Sequence, residues 1–130
     1  MDELPNSPFN EFLGIEMLHY ENGEAECRVQ LKDHHLNTGG RVHGGVLTSL
    51  ADSAAGVAVR SIRPDGKLSA TTDLNIAFVR PPKGDSLHAF AKVIHAGKQL
   101  YRVEIDIHSD EKLVAKSNAT FMIVEPFRKS

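Results

Sequence analysis

The stretch from residue 37 to residue 56, NTGGRVHGGVLTSLADSAAG, contains the residues of this chain with the clearest chemical potential. It places two glycines, Gly44 and Gly45, at the predicted start of an apolar helix and one carboxylate, Asp52, inside that helix. Aspartate is a poor choice for a helix interior because its short side chain competes for backbone groups. A charge among small and apolar residues needs specific partners, and catalytic bases and nucleophiles are found in such settings.

The predicted start of the helix has chemistry of its own. The first amides of a helix lack intrahelical acceptors and lie at the positive end of the helix dipole. Because glycine has no side chain, an acceptor can approach the amides of Gly44 and Gly45 closely. Such a site binds a phosphate or polarises a carbonyl. The chain lacks the P-loop and Rossmann patterns, so carbonyl polarisation is the favoured interpretation.

The spacing of the candidate residues predicts a site made by two subunits. His43 and Asp52 are nine residues apart, which is about 13 Å along a helix axis. They cannot act on the same atom from one chain. If both are functional, Asp52 of one subunit must meet the region around His43 and Gly44 of another.

The elements around this stretch predict one α+β domain that spans residues 1–130. Hydrophobic periodicity and turn signals predict a short helix, two strands, one long helix and four further strands, at 6–14, 15–20, 24–31, 44–62, 69–80, 86–96, 101–109 and 113–126. One helix packed on one antiparallel sheet is an α+β layer arrangement. Such a sheet leaves an edge exposed, so we expect a homodimer.

Composition narrows the possible functions. The chain has 130 residues, a formal charge of −2 and a pI near 6.4, which argues against a nucleic-acid binder. We expect a cytoplasmic protein without membrane association, because the sequence shows no signal peptide and no long apolar run. The single cysteine, Cys27, excludes an intrachain disulfide. Asp33, His34, His35 and His43 have poor spacing for a metal site, so neither metal nor cofactor is expected.

The motif His43-Gly-Gly followed by Leu50-Ala-Asp52 resembles the signature of hotdog-fold acyl-CoA thioesterases of the phenylacetic-acid-degradation type. The predicted order of elements matches that fold from end to end. The resemblance implies an antiparallel sheet wrapped around one long helix, and hydrolysis of an aromatic or medium-chain acyl-CoA to a free acid and CoA. It also implies homodimers with composite sites at the interface, which often pair into tetramers as dimers of dimers.

The resemblance also implies roles for particular residues. Asp52 matches the carboxylate that acts as nucleophile or as general base on water, and Gly44 matches the amide that polarises the thioester carbonyl. Thr71 matches a hydroxyl residue that orients the water, although an alignment shifted by one residue would make Thr72 the match. Polar residues from the other subunit complete the site near the thioester oxygen and sulfur, and these match Asn37 and His43.

Several of these residues also have a purely structural interpretation. Asp52 could be a buried structural acid bonded to Thr48, His43 a helix cap, the glycines a packing device, and Asn37 a turn residue.

The phosphates of CoA need cations, and the candidates are Arg80, Lys83, Arg60, Arg63, Lys98 and Arg102. Two other functions fit the same chain: a non-catalytic acyl-CoA-binding module, and a hotdog hydratase or dehydratase.

Overall fold

The order of helices and strands in the computed structural model, which describes residues 6–126, is the predicted one. The elements are α1 (Pro8–Leu13), β1 (Ile15–Glu21), β2 (Glu24–Gln30), a 3₁₀ turn (Asp33–His35), α2 (Gly44–Arg60), β3 (Leu68–Phe78), β4 (Ser86–Ala96), β5 (Leu100–Ser109) and β6 (Lys112–Val124). The α+β hotdog arrangement is therefore confirmed. Most boundaries agree with the prediction to within two residues.

The six strands form one antiparallel sheet in the order β1-β2-β4-β5-β6-β3. The inward side chains of β2, β4 and β5 alternate with exposed or half-buried ones, as expected for a sheet with one covered face. Strand β3 pairs with β6 alone within residues 6–126, which leaves one edge of an 11-residue strand unpaired. A long free edge of this kind favours pairing with another chain.

Helix α2 lies across the inner face of the sheet and carries the core. Its buried side chains are Val46, Leu47, Leu50, Ala51, Ala54, Ala55, Val57, Ala58 and Val59. The outward stripe consists of Gly45, Ser49, Asp52 and Gly56, none of which is fully buried. Small residues predominate on both faces, which allows the helix to approach the sheet closely. Within the described residues, no helix has the length and apolar character needed to cross a membrane.

Helix α2 ends at Arg60, two residues before the predicted end, because Ser61 caps it. The Ser61 hydroxyl donates a hydrogen bond to the carbonyl of Ala58 (2.7 Å) and accepts one from the amide of Gly23 (2.8 Å). Gly23 belongs to the Asn22-Gly23 turn between β1 and β2, in which both residues have positive φ angles of 52° and 82°. The helix end is thus fixed by a turn that is distant in the sequence.

Cys27 is completely buried in the core, on the inner face of β2. Burial, with a smaller contribution from the neighbouring charge of Glu26, raises the pKa of its thiol to about 12. The thiol therefore stays protonated at neutral pH, and the thiolate is the reactive form. We predict that a chromogenic thiol reagent labels no cysteine in the native protein and one per chain in guanidinium chloride. Labelling of the native protein at the rate of the unfolded chain would contradict this prediction.

Candidate active site

Asp52 lies on the outward stripe of α2, half-buried, rather than inside the core. Its Oδ1 accepts a hydrogen bond of 2.7 Å from the hydroxyl of Thr71 on β3. Thr48, the structural partner considered from the sequence, instead donates to the carbonyl of Gly44 (3.0 Å). Within residues 6–126, no side chain other than that of Thr71 donates to this carboxylate. The carboxylate is thus oriented by one hydroxyl and remains accessible.

A β-bulge decides which of two adjacent threonines faces Asp52. The register of β3 against β6 shifts between Thr71 and Asp73. Thr71 is paired with Phe121, whose side chain lies on the inner face of the sheet, whereas the Thr72 hydroxyl donates to the backbone carbonyl of Thr120 (3.1 Å). Of the two hydroxyls, that of Thr71 is therefore the one that reaches the carboxylate.

This pair of threonines provides a matched test. We predict that Thr71→Val lowers kcat for thioester hydrolysis about ten- to a hundredfold, because a hydrogen bond to a charged group contributes roughly 1.5–3 kcal/mol. Thr71→Ser keeps the hydroxyl and should keep most of the activity. Thr72→Val is the control and should leave kcat within twofold of wild type. Equal losses for both valine variants in steady-state kinetics would show that the hydroxyl of Thr71 has no special role.

His43 is the N-cap of α2. Its Nδ1 accepts a hydrogen bond of 2.8 Å from the amide of Gly45. Because a backbone N–H can only donate, this nitrogen carries no proton, and the neutral ring must carry its proton on Nε2. The capping role considered from the sequence is therefore observed. The same bond presents an Nε2–H donor on an exposed ring.

The cap also distinguishes between the two glycine amides. The Gly45 N–H is engaged by His43, so it is not available to a substrate. Gly44 is the first residue of the helix, and its N–H has no intrahelical acceptor. A side chain at position 44 would press on the neighbouring strand, since a Cβ there would lie 3.2 Å from Cζ of Phe78. Within the described residues no acceptor engages the Gly44 N–H, so Gly44 combines a packing role with an available donor.

Asn37 organises the loop that precedes α2. Its Oδ1 accepts hydrogen bonds from the amides of Gly39 (2.9 Å) and Arg41 (3.1 Å), so the turn role is observed. With the oxygen turned toward the loop, the two donors of the side-chain amide are directed elsewhere. Asn37 and Gly44 line one cavity of about 330 Å³, together with Phe78 and Arg80.

The six candidate cations are not brought together within one chain. Arg80 lines the cavity that contains Gly44, and Lys83 lines an adjoining cavity of about 380 Å³. Arg41 lines both cavities, although the sequence analysis did not select it. Its position in the glycine loop just before His43 was a signal that could have found it.

The other candidate cations lie away from the start of α2. Arg60 and Arg63 lie at the opposite end of the helix, roughly 24 Å along its axis from Gly44. Burial, followed by the nearby charge of Arg60, lowers the pKa of Arg63. Lys98 is in the turn between β4 and β5, and Arg102 donates to the hydroxyl of Thr120 (2.8 Å). These four residues cannot reach the Gly44 cavity of their own chain.

His35, in the loop before the helix, is held by hydrogen bonds within the protein. His35 is buried, with its Nδ1 accepting from the amide of Lys32 (2.9 Å) and its Nε2 bonded to the carbonyl of Leu13 (2.7 Å). Both ring nitrogens are therefore occupied by the protein itself. Within the described residues, no group of three or more metal-ligating side chains comes together.

Comparison with known proteins identifies the family. The sequence profile of the thioesterase superfamily matches residues 39–116, which include the helix with Asp52 and the strand with Thr71. The chain belongs to the thioesterase superfamily. It is therefore a thioester hydrolase, as the resemblance of the motif His43-Gly-Gly and Leu50-Ala-Asp52 predicted.

Similar proteins agree with the family. A protein of Halobacterium salinarum that is named as an esterase is 38% identical to this thioesterase. The match covers 74% of this chain and 66% of that protein. The medium/long-chain acyl-CoA thioesterase YigI of Escherichia coli is 28% identical, over 89% of this chain and 85% of YigI. The crystal structure of a phenylacetic acid degradation-related protein from Ralstonia eutropha superposes with a TM-score of 0.84 and 29% identity, over 92% of each chain.

Proposed function

We propose that this thioesterase hydrolyses acyl-CoA thioesters with medium-length or aromatic acyl groups at two composite sites of a homodimer. The observation that carries the proposal is the hydrogen bond between Thr71 and Asp52, which holds a carboxylate on the accessible face of α2. The name of YigI, a medium/long-chain acyl-CoA thioesterase, supports acyl-CoA as the substrate class. The medium-length acyl group follows by analogy with YigI, and the aromatic acyl group by analogy with the phenylacetic acid degradation-related protein of Ralstonia eutropha.

The chemistry follows from the donors and acceptors present. The Gly44 amide donates to the thioester oxygen and stabilises the negative charge that develops on it, an effect worth roughly 2.7–4 kcal/mol for one such donor. Asp52 either takes a proton from a water that attacks the carbonyl carbon, or attacks the carbon itself. The C–S bond then breaks, and the CoA sulfur leaves as a thiolate that acquires a proton. In the second route, water hydrolyses the resulting mixed anhydride.

The free edge of β3 gives a physical reason for a composite site. A second copy that pairs antiparallel with this edge brings the Phe78 end of one strand along the Thr71 half of the other. Phe78 packs against Gly44, and Thr71 is bonded to Asp52. Such pairing moves the Gly44 amide of one subunit toward Asp52 of the partner subunit. This arrangement removes the separation that exists within one chain.

Cations at the start of α2 can bind the phosphates of CoA. Arg80 and Lys83, proposed from the sequence, lie there together with Arg41. The two adjoining cavities share Arg41, so a ligand can extend from one to the other while remaining near positive charge. We therefore propose these three residues, and not the four at other places in the fold, as the CoA-binding cations.

The experiment that tests this function is thiol release from a panel of phenylacetyl-, benzoyl-, hexanoyl-, decanoyl- and palmitoyl-CoA. Thiol release above the uncatalysed rate from at least one medium-chain or aromatic substrate supports the proposal. Binding of these thioesters without thiol release would favour a non-catalytic acyl-CoA-binding module. In a separate assay with an enoyl-CoA, addition of water without thiol release would favour the hydratase.

A further inference from the structure

Helix α1 exposes two aromatic rings in spite of being firmly anchored. Phe9 is 59% exposed and Phe12 is 73% exposed. Both ends of this six-residue helix are capped, by the Ser7 hydroxyl at its start and by Gly14, with a φ angle of 79°, at its end. A fixed segment that presents two phenylalanines to solvent suggests an apolar ligand, because burying such rings is strongly favourable.

One hydrogen bond ties α1 to the residue next to Asp52. The hydroxyl of Ser53 donates to Oδ1 of Asn10 at 2.9 Å. Ser53 follows Asp52 directly, so the two side chains leave α2 about 100° apart around the helix axis. Because Asp52 is bonded to Thr71 on β3, the helix has β3 on one flank of its outward stripe and α1 on the other.

A second hydrogen bond ties α1 to the loop that precedes α2. His35 donates from Nε2 to the carbonyl of Leu13 at 2.7 Å, since its Nδ1 is the acceptor for the Lys32 amide. The carbonyl of His35 in turn accepts from the amide of His43 (2.8 Å), the cap of the helix. Helix α1 is thus attached to both parts of the candidate site.

We propose that α1 forms the acyl-chain wall of the thioesterase site, with Phe9 and Phe12 in contact with the acyl chain of the substrate. The inference rests on the proposed function and extends it to chain-length selection. The outward stripe of α2 forms a surface of small residues. Helix α1 lies on the side of this stripe opposite β3. An acyl chain whose carbonyl lies at Asp52 needs an apolar surface nearby, and the Asn10–Ser53 hydrogen bond holds α1 beside the residue that follows Asp52.

The test combines chain-length kinetics with binding in Phe9→Ala, Phe12→Ala and the double variant. Substrates run from acetyl- to palmitoyl-CoA, and non-hydrolysable thioether analogues of acetyl- and decanoyl-CoA are titrated calorimetrically. We expect the double variant to raise KM for decanoyl-CoA, and Kd for the decanoyl analogue, about tenfold with kcat nearly unchanged. Values for the acetyl compounds should stay within twofold. Phe90→Ala, which removes a 44%-exposed ring from the outer face of β4, is the matched control.

The outcomes separate the inference from the proposed function. Unchanged binding of the decanoyl analogue, or equal losses for acetyl and decanoyl compounds, would overturn the role of α1. A change in subunit number by light scattering would instead assign the aromatic rings to a contact between copies, and would also overturn it. Failure of the wild-type protein to release thiol counts against the proposed reaction only, because the analogue still reports whether α1 contacts the chain.

Discussion

Replacement of Asp52 by asparagine is expected to lower kcat for acyl-CoA hydrolysis about a thousandfold. The amide keeps the size of the side chain and can still accept the hydrogen bond from Thr71. It cannot take a proton from water at neutral pH, and it is not a nucleophile toward a thioester. Because the side chain lies on the outward stripe of α2, folding and assembly should be unaffected. Steady-state thiol release on one good substrate measures the effect.

A second aspartate serves as the matched control for this variant. Asp65 is exposed in the turn after α2, and asparagine is equally acceptable in turns. Asp65→Asn should therefore retain the kcat of the wild type, and light scattering should show the same subunit number for all three proteins. An Asp52→Asn protein with more than a tenth of the wild-type kcat would remove the carboxylate from the mechanism.

Replacement of His43 by asparagine is expected to lower kcat/KM about a hundredfold while leaving the free energy of unfolding nearly unchanged. Asparagine is among the best N-cap residues, so its side-chain oxygen can accept the Gly45 amide in place of Nδ1. It does not extend far enough to replace the exposed Nε2–H donor near the substrate. The change therefore removes the Nε2–H donor and keeps the helix cap. Thiol release measures the effect on kcat/KM, and urea unfolding measures the free energy of unfolding.

His43→Ala distinguishes the two roles of this residue. Alanine removes the cap as well as the donor, so the free energy of unfolding should fall by about 1 kcal/mol relative to wild type. Its kcat/KM should match that of His43→Asn. If His43→Asn had full activity and His43→Ala alone were impaired, the histidine would be a structural cap without a part in hydrolysis.

The sequence was informative about the site where local spacing determines geometry. An aspartate inside an apolar helix, and a glycine at its start, could be selected from one chain because helix periodicity fixes their separation. The choice between Thr71 and Thr72 could not be made, because the β-bulge depends on pairing with a strand almost fifty residues away. A capping role for His43 could be considered from the sequence, but that its ring engages the amide of Gly45 depends on one side-chain rotamer.

The same distinction holds for the fold. The order of the elements and most of their boundaries followed from local patterns. The end of α2 did not, because Ser61 is held by the distant Gly23 turn. The scattering of the candidate cations over both ends of the fold also could not be foreseen, since composition reveals charge but not its location. The Asn10–Ser53 hydrogen bond is another long-range contact of this kind.

The central claim is that each site combines Asp52 of one subunit with His43 and Gly44 of the other. The most direct measurement is thiol release after Asp52→Asn and His43→Asn proteins are unfolded together in equal amounts and refolded. Half of the dimers then contain one subunit of each kind, and each of these has one intact site, so about a quarter of the wild-type activity should return. Activity no higher than the average of the two separately refolded parents would contradict the claim and place the complete site within one chain.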